Sequence, residues 1–442
     1  KGMGERGEKE IFDAIEKFRK SGSKKMIPIA RATAVAAEIQ EYFDACGGAD
    51  HIDVVGGLRR HVSMVAEVRF VAAADNARRV IDCFCSMPMV RSVKERGERY
   101  ASITTRYRLN ATLRVVLPDD YGMGMVIETG SAAHTDRLKR IASERGASIG
   151  PSGYYDAEGE RVMIPTEEHL YRELGMAYVP PDLREDDGEM EAAFHDTLPD
   201  LVTIGDIRGD LHIHTRWSDG TGSIQDMAIA ARGRGYEYIA VCDHSRSLQV
   251  ANGLSIDRLR DQMEEIDRLN DTLEGFTVLK SSEVDILPDG SLDLPDDILE
   301  ELDIVVGSIH TQLKQDRKTI TARAIKALEN DHLTILAHPT SRILGRREPT
   351  AIDIDRIVEA AKDNGKVLEV NAYPDRLDLD DSNIRKAVDA GVIICINSDS
   401  HSAMDLDTLQ FGIDNARRGW ATRARVLNTL STEALLEYLD RY

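Results

Sequence analysis

The stretch GDLHIHTRWSDG, residues 209–220, places two histidines and a carboxylate close together in the chain. His212 and His214 alternate on a predicted strand, so both imidazoles point to one side, and Asp219 follows on a turn. Imidazole and carboxylate without thiolate suit Zn²⁺, Mn²⁺ or Fe²⁺. A lone His-x-His pair is weak evidence, because a single histidine at a strand end is more often a hydrogen-bonded structural residue.

Further ligands of the same kind stand at the ends of other apolar runs. Six of the seven histidines after residue 207 belong to this set, together with three carboxylates. The nine residues are His212, His214, Asp219, His244, Glu283, His310, His338, Asp399 and His401. Nine ligands exceed what a single ion takes, so we expect two or three divalent ions (Mn²⁺, Zn²⁺ or Fe²⁺), with Glu283 as a bridge.

Such a cluster indicates phosphoester hydrolysis. Clustered divalent ions lower the pKa of a bound water and stabilise the leaving oxygen, so that no side-chain nucleophile is needed. Two further residues are candidates for the catalytic machinery. Asp243 is placed to orient its neighbour His244, although a structural role in a turn is an equal alternative. Arg342, near Arg346 and Arg347, is placed to bind a substrate phosphate, with a solvated loop as the alternative for two of these three.

The elements that must position these ligands form a repeating pattern from residue 207 onward. Short apolar runs end in polar residues and alternate with helical stretches, as in YIAVCDHS, DIVVGSIHT, LTILAHPT and VIICINSDSH. About seven such units predict a parallel sheet or barrel that is buried on both faces. In folds of this kind the chemistry lies at the carboxyl ends of the strands.

The first half of the chain has a different texture. A helix is predicted over about residues 26–45, followed by strand-like segments HIDVVGG, AEVRFVAAAD and NATLRVVLPDD with helices between them. This order is typical of an α+β region. The segment MAYVPPDLREDDGEMEAA contains Pro180-Pro181 and a run of charges, which predicts an exposed boundary before the second half.

Charge is distributed unevenly along the 442 residues, whose net charge is −21. Residues 1–150 contain 25 Lys and Arg against 20 Asp and Glu, so this part can contact DNA phosphates. Candidate contacts are Gly2 and Gly4, in a Gly-x-Gly turn before a helix, and Arg59 with Arg60. An ordinary turn and a solvated surface are the alternatives. No apolar run is long enough to span a membrane, and five cysteines are interpreted as reduced thiols of a cytoplasmic protein.

The motifs D-x-H-x-H-T-x-x-S-D-G, CDHS, SEVD, SIH, AHP and SDSH resemble the PHP (polymerase and histidinol phosphatase) domain. The resemblance implies a distorted seven-stranded β/α barrel with three metal ions. It groups the ligands as His212, His214, Glu283 and Asp399 on one ion, Glu283, His310 and His338 on a second, and Asp219, His244 and His401 on a third.

A wider resemblance covers essentially the whole chain. The segments ELGMAYVPPDLREDDGEMEAA, IGDIRGDLHIHT and FGIDNARRGWATRARVLNT are similar to bacterial and archaeal family-X DNA polymerases with a C-terminal PHP domain. The resemblance implies a helix-hairpin-helix remnant (1–22), fingers helix and palm (23–145), a thumb-like region and linker (146–205) and the PHP domain (206–442). It also implies a manganese-dependent 3′–5′ exonuclease in DNA repair that acts on 3′ ends or gapped duplex.

The polymerase motifs of that family are broken in this chain. The family pattern has a D-x-D pair and a third Asp on a neighbouring strand, which together hold two Mg²⁺ ions. Glu67, Arg69 and Thr112 stand at these three positions. One carboxylate cannot hold two Mg²⁺ ions, so we predict that templated synthesis is lost. Ile127-Glu128 replaces an aromatic pair, and Asp119-Asp120 lies past the strand end and is discounted.

The sequence therefore predicts an α/β protein, with a PHP barrel preceded by an α+β region like that of polymerase β, that acts as a metal-dependent phosphoesterase on DNA 3′ ends. Three alternatives remain open. The chain is a phosphatase of small phosphomonoesters, a non-catalytic DNA-binding scaffold, or, if the reading of Glu67, Arg69 and Thr112 is wrong, an active polymerase. The oligomeric state is not predicted.

Overall fold

The computed structural model describes residues 26–46, 48–150 and 153–440. The predicted helix-hairpin-helix remnant, with Gly2 and Gly4, lies outside these ranges.

The first half of the described chain combines three small sheets with seven helices. Its strands are β1 (Ile27–Pro28), β2 (His51–Val55), β3 (Met64–Val65), β4 (Glu67–Ala73), β5 (Val90–Arg96), β6 (Tyr100–Thr105), β7 (Asn110–Val116), β8 (Ser148–Gly150), β9 (Gly153–Tyr155) and β10 (Arg161–Val162). Its helices are α1 (Ile29–Cys46), α2 (Gly56–Arg59), α3 (Ala77–Ser86), α4 (Tyr121–Thr129), α5 (Ala132–Glu144), α6 (Glu167–Glu173) and α7 (Glu189–Phe194).

The central sheet of this half has the strand order β2-β4-β7-β6-β5, in which β4 and β7 run parallel and the other pairs antiparallel. Successive side chains of a strand point to opposite faces of the sheet, so every second residue can pack into the core. Phe70 and Leu113 are two such residues, and both are buried. Helix α1 contributes Ile39 and Phe43 to the same apolar cluster. We call the unit formed by α1 to α3 and this sheet the palm.

The cysteine prediction is wrong for one pair. Cys46 and Cys83 form a disulfide, because the end of α1 lies beside α3 with the two Cα atoms 6.9 Å apart. Cys85, Cys242 and Cys395 are free thiols, and Cys242 and Cys395 are buried in the second half as expected for strand residues.

The second half forms a seven-stranded parallel sheet in sequential order, β11 (Gly209–Ile213), β12 (Tyr238–Val241), β13 (Thr277–Asp285), β14 (Ile304–Ser308), β15 (Ile335–Leu336), β16 (Val367–Asn371) and β17 (Ile394–Asn397). A bridge between Ile213 and Ser400 brings the last strand beside the first, so the sheet is nearly closed into a barrel. The helices are α8 (Ile224–Gly233), α9 (Ile256–Asn270), α10 (Asp296–Leu299), α11 (Arg317–Leu328), α12 (Ile354–Asp363), α13 (Asp381–Ala390), α14 (Leu409–Arg418) and α15 (Thr432–Leu439).

The barrel confirms the predicted β/α architecture. Its strands are rich in apolar residues because both faces are covered, one by the barrel interior and the other by the helices. Leu211 and Val306 belong to the interior cluster, whereas Ile239 and Leu368 belong to the cluster shared with the helices. All seven strands point the same way, so their carboxyl ends meet at one rim. In the described part of the chain no helix has the length and apolar character needed to cross a membrane.

The predicted exposed boundary at residues 176–193 is exposed only in part: Asp186, Asp187 and Gly188 are exposed, but other charged residues of the segment are not. Asp182, Arg184 and Glu189 are all buried, with exposed fractions of 3%, 0% and 0%. Each is compensated by an ionic partner, as in the pair between Arg184 Nη1 and Glu167 Oε1 at 2.7 Å. Charged side chains tolerate burial when they are paired in this way. Because composition does not reveal such partners, the run of charges predicted a solvated segment.

Candidate metal centre

All nine predicted ligands meet at the carboxyl rim of the barrel. His212 and His214 lie at the end of β11 and Glu283 lies near the end of β13, and the other six lie in the loops that follow the strands. Seven of the nine are nearly or fully buried, and Asp219 and His401 have side chains 34% exposed at the opening. The strand ends therefore bring together the residues that the sequence singled out.

Glu283 is the centre of this arrangement, with its two carboxylate oxygens facing different groups of imidazoles. Oε1 lies 2.9 Å from Nε2 of His338 and 3.2 Å from Nε2 of His310. Oε2 lies 2.8 Å from Nδ1 of His244 and 3.6 Å from Nε2 of both His212 and His214. One carboxylate flanked on both sides in this way has the geometry that a bridging ligand requires.

The remaining carboxylates complete the rim. Oδ1 of Asp399 lies 3.2 Å from Nε2 of His214. The two oxygens of Asp219 lie 3.6 Å from Nε2 of His401 and 3.6 Å from Nε2 of His244. These separations are those of side chains gathered around a common centre.

The ligand atoms form three overlapping groups within which they lie no more than 4.8 Å apart. The groups are His214, Asp219, His244 and His401; His212, His214 and Glu283; and His244, Glu283 and His310. The first contains the third group that the resemblance implied, with His214 added. The second contains three of the four residues of the first implied group. In the third, His244 takes the place of His338, although His338 contacts the same oxygen of Glu283 as His310.

The donors fit divalent metal ions in their chemistry as well as their spacing. Nδ1 of His214 and Nδ1 of His338 are buried without a hydrogen-bond partner, which is costly for a polar atom unless a ligand satisfies it. Nε2 of His212 and Nε2 of His214 lie 3.2 Å apart, as two nitrogens do when they face one cation.

Two buried carboxylates orient the histidines from behind, and sequence reasoning missed both. Oε1 of Glu369 accepts a hydrogen bond from Nδ1 of His212 at 2.7 Å, and Oδ1 of Asp285 accepts one from Nδ1 of His310 at 2.6 Å. Such partners fix the ring so that Nε2 faces the metal. A signal was present, since Asp285 follows Glu283 by two positions on β13 and Glu369 is a lone charge inside the apolar strand β16.

The rim carboxyls and imidazoles shift one another's pKa values. The imidazoles lower the pKa of Glu283 and Asp399, and the carboxylates raise the pKa of His212, His244, His310 and His401 despite their burial. Burial would raise the pKa of the Glu283 carboxyl, but the imidazoles of His310 and His244 hold it well below its usual range. Burial lowers the pKa of His214 to about 4, and His244 adds to the shift. Carboxylate and neutral imidazole are the forms that bind metals.

Backbone strain is concentrated at two ligands. His338 and Asp399 have φ values of 26° and 53°, in a region that residues with a side chain rarely adopt. Such residues cluster at functional sites and are held there by the surrounding structure.

The two predicted catalytic residues have structural contacts instead of open approaches to the rim. Asp243 accepts hydrogen bonds from the backbone N–H of Thr215 at 2.8 Å and from Gln262, so it anchors the turn that leads to Asp219. Arg342 is 8% exposed and donates to the backbone oxygens of Arg376 and Leu377. Their roles in catalysis stay predictions.

A cation that the sequence analysis did not single out lies at the centre. Nε of Arg376, in the loop after β16, is 3.5 Å from Oδ2 of Asp399. The segment NAYPDRLD offered little signal for this residue, because Arg376 is several positions beyond the end of its strand.

An ion-pair network joins the palm to α4 at the positions where the resemblance led us to expect polymerase carboxylates. Arg69 on β4 donates to the Glu128 side chain, and it lies 3.9 Å from the carboxylate of Glu67. Arg114 donates to the other oxygen of Glu128 at 3.0 Å. Thr112 lies beside Arg69 in the register of β4 and β7. Asp120 is paired with Arg161.

The two arginines predicted to bind DNA are engaged within the protein. Arg59 makes a two-pronged ion pair with Glu167, with N–O distances of 2.8 and 2.6 Å. Arg60 pairs with Glu185 at 3.0 Å and donates to the backbone oxygen of Thr129. Both therefore join α2 to the segment that follows the palm, and DNA contact by either stays a prediction.

Comparisons with known proteins find relatives for both halves of the chain. A family model described as DNA polymerase beta thumb matches residues 124–185, and one described as PHP domain matches residues 210–373. A DNA polymerase/3′-5′ exonuclease PolX of Bacillus subtilis is 38% identical over 443 residues, covering 100% of this chain and 77% of the relative. A probable phosphatase of Thermoanaerobacter sp. (strain X514) is 30% identical over 241 residues, covering 52% of this chain and 93% of that protein.

Proposed function

Since the chain belongs to the PolX-type family-X DNA polymerases that have a PHP domain, we propose that it is a metal-dependent 3′–5′ exonuclease that processes DNA ends in repair, and that its templated synthesis is lost. The observation on which the nuclease proposal rests is the position of Glu283, whose two oxygens face five histidines at the barrel rim.

The chain's own residues would divide the work as follows. The nine rim residues hold the ions, and Glu369 and Asp285 keep His212 and His310 in place. Bound divalent ions supply an activated water and stabilise the leaving oxygen of the phosphoester. Arg376 adds a fixed cation beside the rim.

Loss of synthesis is proposed from the palm network. Arg69 places a permanent positive charge where the family holds a metal ion, and Glu128 neutralises that charge. Glu67 is the single carboxylate left at the three family positions, and Thr112 offers one neutral oxygen. Mg²⁺ requires near-ideal octahedral oxygen ligation, which this set cannot supply for two ions.

The test uses a 5′-labelled primer on a gapped template with Mn²⁺ and all four dNTPs, resolved on a denaturing gel. We expect the primer to shorten, and the double variant His212→Ala with His214→Ala to abolish the shortening. His332→Ala is the matched control, because His332 is the one histidine after residue 207 outside the ligand set. Primer extension would contradict the proposed loss of synthesis.

A second candidate is a phosphatase of small phosphomonoesters. The observation that favours it is the match of the barrel half to proteins named probable phosphatases. Release of phosphate from small monoesters, with the labelled primer left intact under the same conditions, would establish this alternative.

A further inference from the structure

One loop connects the metal centre to the palm. It spans residues 372–380, between β16 and α13, and we call it the rim loop. It starts after Asn371, whose side-chain amide donates to Oδ2 of Asp399 at 3.0 Å. It is folded tightly on itself, since the backbone N–H groups of Arg376 and Leu377 both donate to the oxygen of Tyr373.

Arg376 is the part of the rim loop that faces the metal centre. Its side chain is 22% exposed, and within the described residues its guanidinium pairs with the Asp399 carboxylate alone, at 3.5 Å. A guanidinium has five N–H donors in a planar fork that matches phosphate oxygens. Most of these donors are therefore free to bind an anionic group that approaches the ions.

Leu377, the next residue, faces the opposite way and lies in the palm. It is 1% exposed and belongs to the apolar cluster that forms the palm core, together with residues such as Ile27, Leu58 and Val65. Its φ of 46° lies in the left-handed region, which a leucine keeps only when the surrounding structure holds it there. The palm core is that surrounding structure.

The rest of the rim loop is fixed by hydrogen bonds within the barrel half. Arg342 Nε donates to the backbone oxygen of Arg376 at 2.9 Å. Thr340 lies two residues after the ligand His338. It donates to the Asp378 side chain through its N–H at 3.0 Å and through Oγ1 at 2.8 Å. The backbone N–H of Leu344 donates to the oxygen of Asp375 at 2.6 Å, and the Leu344 side chain also packs against the palm cluster. The loop that contains Leu344 and the rim loop, which both adjoin the ligand residues, thus contact the apolar cluster of the palm.

We propose that Arg376 binds the substrate phosphate at the metal centre, and that the palm core positions Arg376 through Leu377. Arg376 is the substrate-binding residue and Leu377 a positioning residue that acts through it. The inference rests on the proposed phosphoesterase function and gives the palm, without its polymerase carboxylates, a part in hydrolysis.

The first experiment compares steady-state kinetics of the full chain with Mn²⁺ on a labelled oligonucleotide and on bis(p-nitrophenyl) phosphate. Arg376→Met should raise KM for both substrates about 10- to 100-fold, as expected for the loss of a charge-assisted hydrogen bond, with a smaller change in kcat. Leu377→Ala should shift KM in the same direction. Leu138→Ala removes the same volume from a different apolar cluster, at a fully buried position of α5, and should leave KM unchanged.

A double-mutant cycle separates positioning from general damage. In the Arg376→Met background, Leu377→Ala should raise KM no further, because its effect passes through the missing guanidinium. If the two effects multiply instead, Leu377 does not act through Arg376 and the proposal is overturned. Leu377→Val, which removes a single methylene, serves the same cycle if the alanine variant does not fold.

Hydrogen–deuterium exchange gives a readout that needs no activity. Backbone exchange in residues 372–380 should become faster in Leu377→Ala and stay unchanged in Leu138→Ala and Arg376→Met. Unchanged exchange in Leu377→Ala would overturn the positioning role. An active wild type whose KM is insensitive to Arg376→Met would overturn the phosphate contact but leave the nuclease standing, whereas an inactive wild type would contradict the proposed function itself.

Discussion

Glu369 is the residue on which the orientation of His212 depends. It is fully buried, accepts a hydrogen bond from Nδ1 of His212 at 2.7 Å, and also accepts the backbone N–H of the ligand His338 at 2.8 Å. We expect Glu369→Gln to weaken metal binding about 10- to 100-fold, the usual cost of losing such a partner. Titration of the metal-free protein with Mn²⁺ or Zn²⁺ in a calorimeter measures the change.

The control for this prediction is Glu359→Gln, which removes the same charge from an exposed position of α12. It should leave metal affinity unchanged. Equal affinity in Glu369→Gln and the wild type would mean that the carboxylate is not needed to orient His212.

In the palm, the residues at positions 69 and 128 are complementary. Without Glu128, the positive charge of Arg69 would be less fully neutralised. Without Arg69, Glu128 and Glu67 would lack the cation that both of them approach. Together they pair with each other, and Arg114 completes the neutralisation. The charges at these positions therefore neutralise one another within the protein.

At the scale of elements, α2 and α6 are joined by one ionic cluster. Glu167 accepts two hydrogen bonds from Arg59 and one from Arg184, whose side chain is fully buried. Glu167→Gln would leave Arg184 buried with its charge uncompensated. We expect a loss of about 3–5 kcal/mol in the free energy of unfolding, measured by urea denaturation. Glu168→Gln, at the next and exposed position of α6, should have little effect.

The same cluster predicts a pH dependence of stability. Burial would raise the pKa of Glu167, but Arg59 and Arg184 hold it at about 2, below the value of about 4.3 in an unfolded chain. The folded pKa is depressed, so the contribution of Glu167 is fully present above about pH 4.3 and is lost as the pH falls toward 2. Melting curves between pH 3 and 7 should show a steeper acid decline in the wild type than in Glu167→Gln, and parallel curves would contradict this assignment.

The sequence predicted the strands and loops that carry the ligands more completely than it predicted the residues that contact and orient those ligands. The nine ligands were found because each parallel strand ends at the same rim, so position along the chain translates directly into position in space. Glu369, Arg376 and the buried Asp182 were not found. Each depends on a partner far away in sequence (His212, Asp399 and His61, respectively), and no local pattern encodes such a pairing.

At the scale of the whole molecule, three parts of the chain meet at one polar junction: the palm, the barrel, and residues 124–185, which the thumb model matches. Asp182 receives hydrogen bonds from His61 of the palm at 2.8 Å and from Arg417 of α14 at 2.9 Å. Arg418 donates to the backbone oxygen of Arg60 at 2.8 Å and pairs with Glu185 at 3.0 Å. These contacts, with Leu377 in the palm core, place the metal centre in a fixed relation to the more basic half of the chain.

That relation predicts how salt affects activity. The negative charge is concentrated after residue 150, so we expect DNA, as the proposed substrate, to be held by cationic groups of residues 1–150 and of the rim. Each neutralised phosphate contributes a slope of about −0.9 to log K against log salt for duplex DNA and about −0.7 for single strands. We expect kcat/KM on DNA to fall about 10-fold or more between 50 and 200 mM salt. Hydrolysis of bis(p-nitrophenyl) phosphate, measured in the same buffers as the control, should change much less, because this ester has one phosphate and no counterion atmosphere to release. If kcat/KM on DNA does not change with salt, residues 1–150 do not hold the substrate by their charge. That result would favour a small phosphoester as the natural substrate.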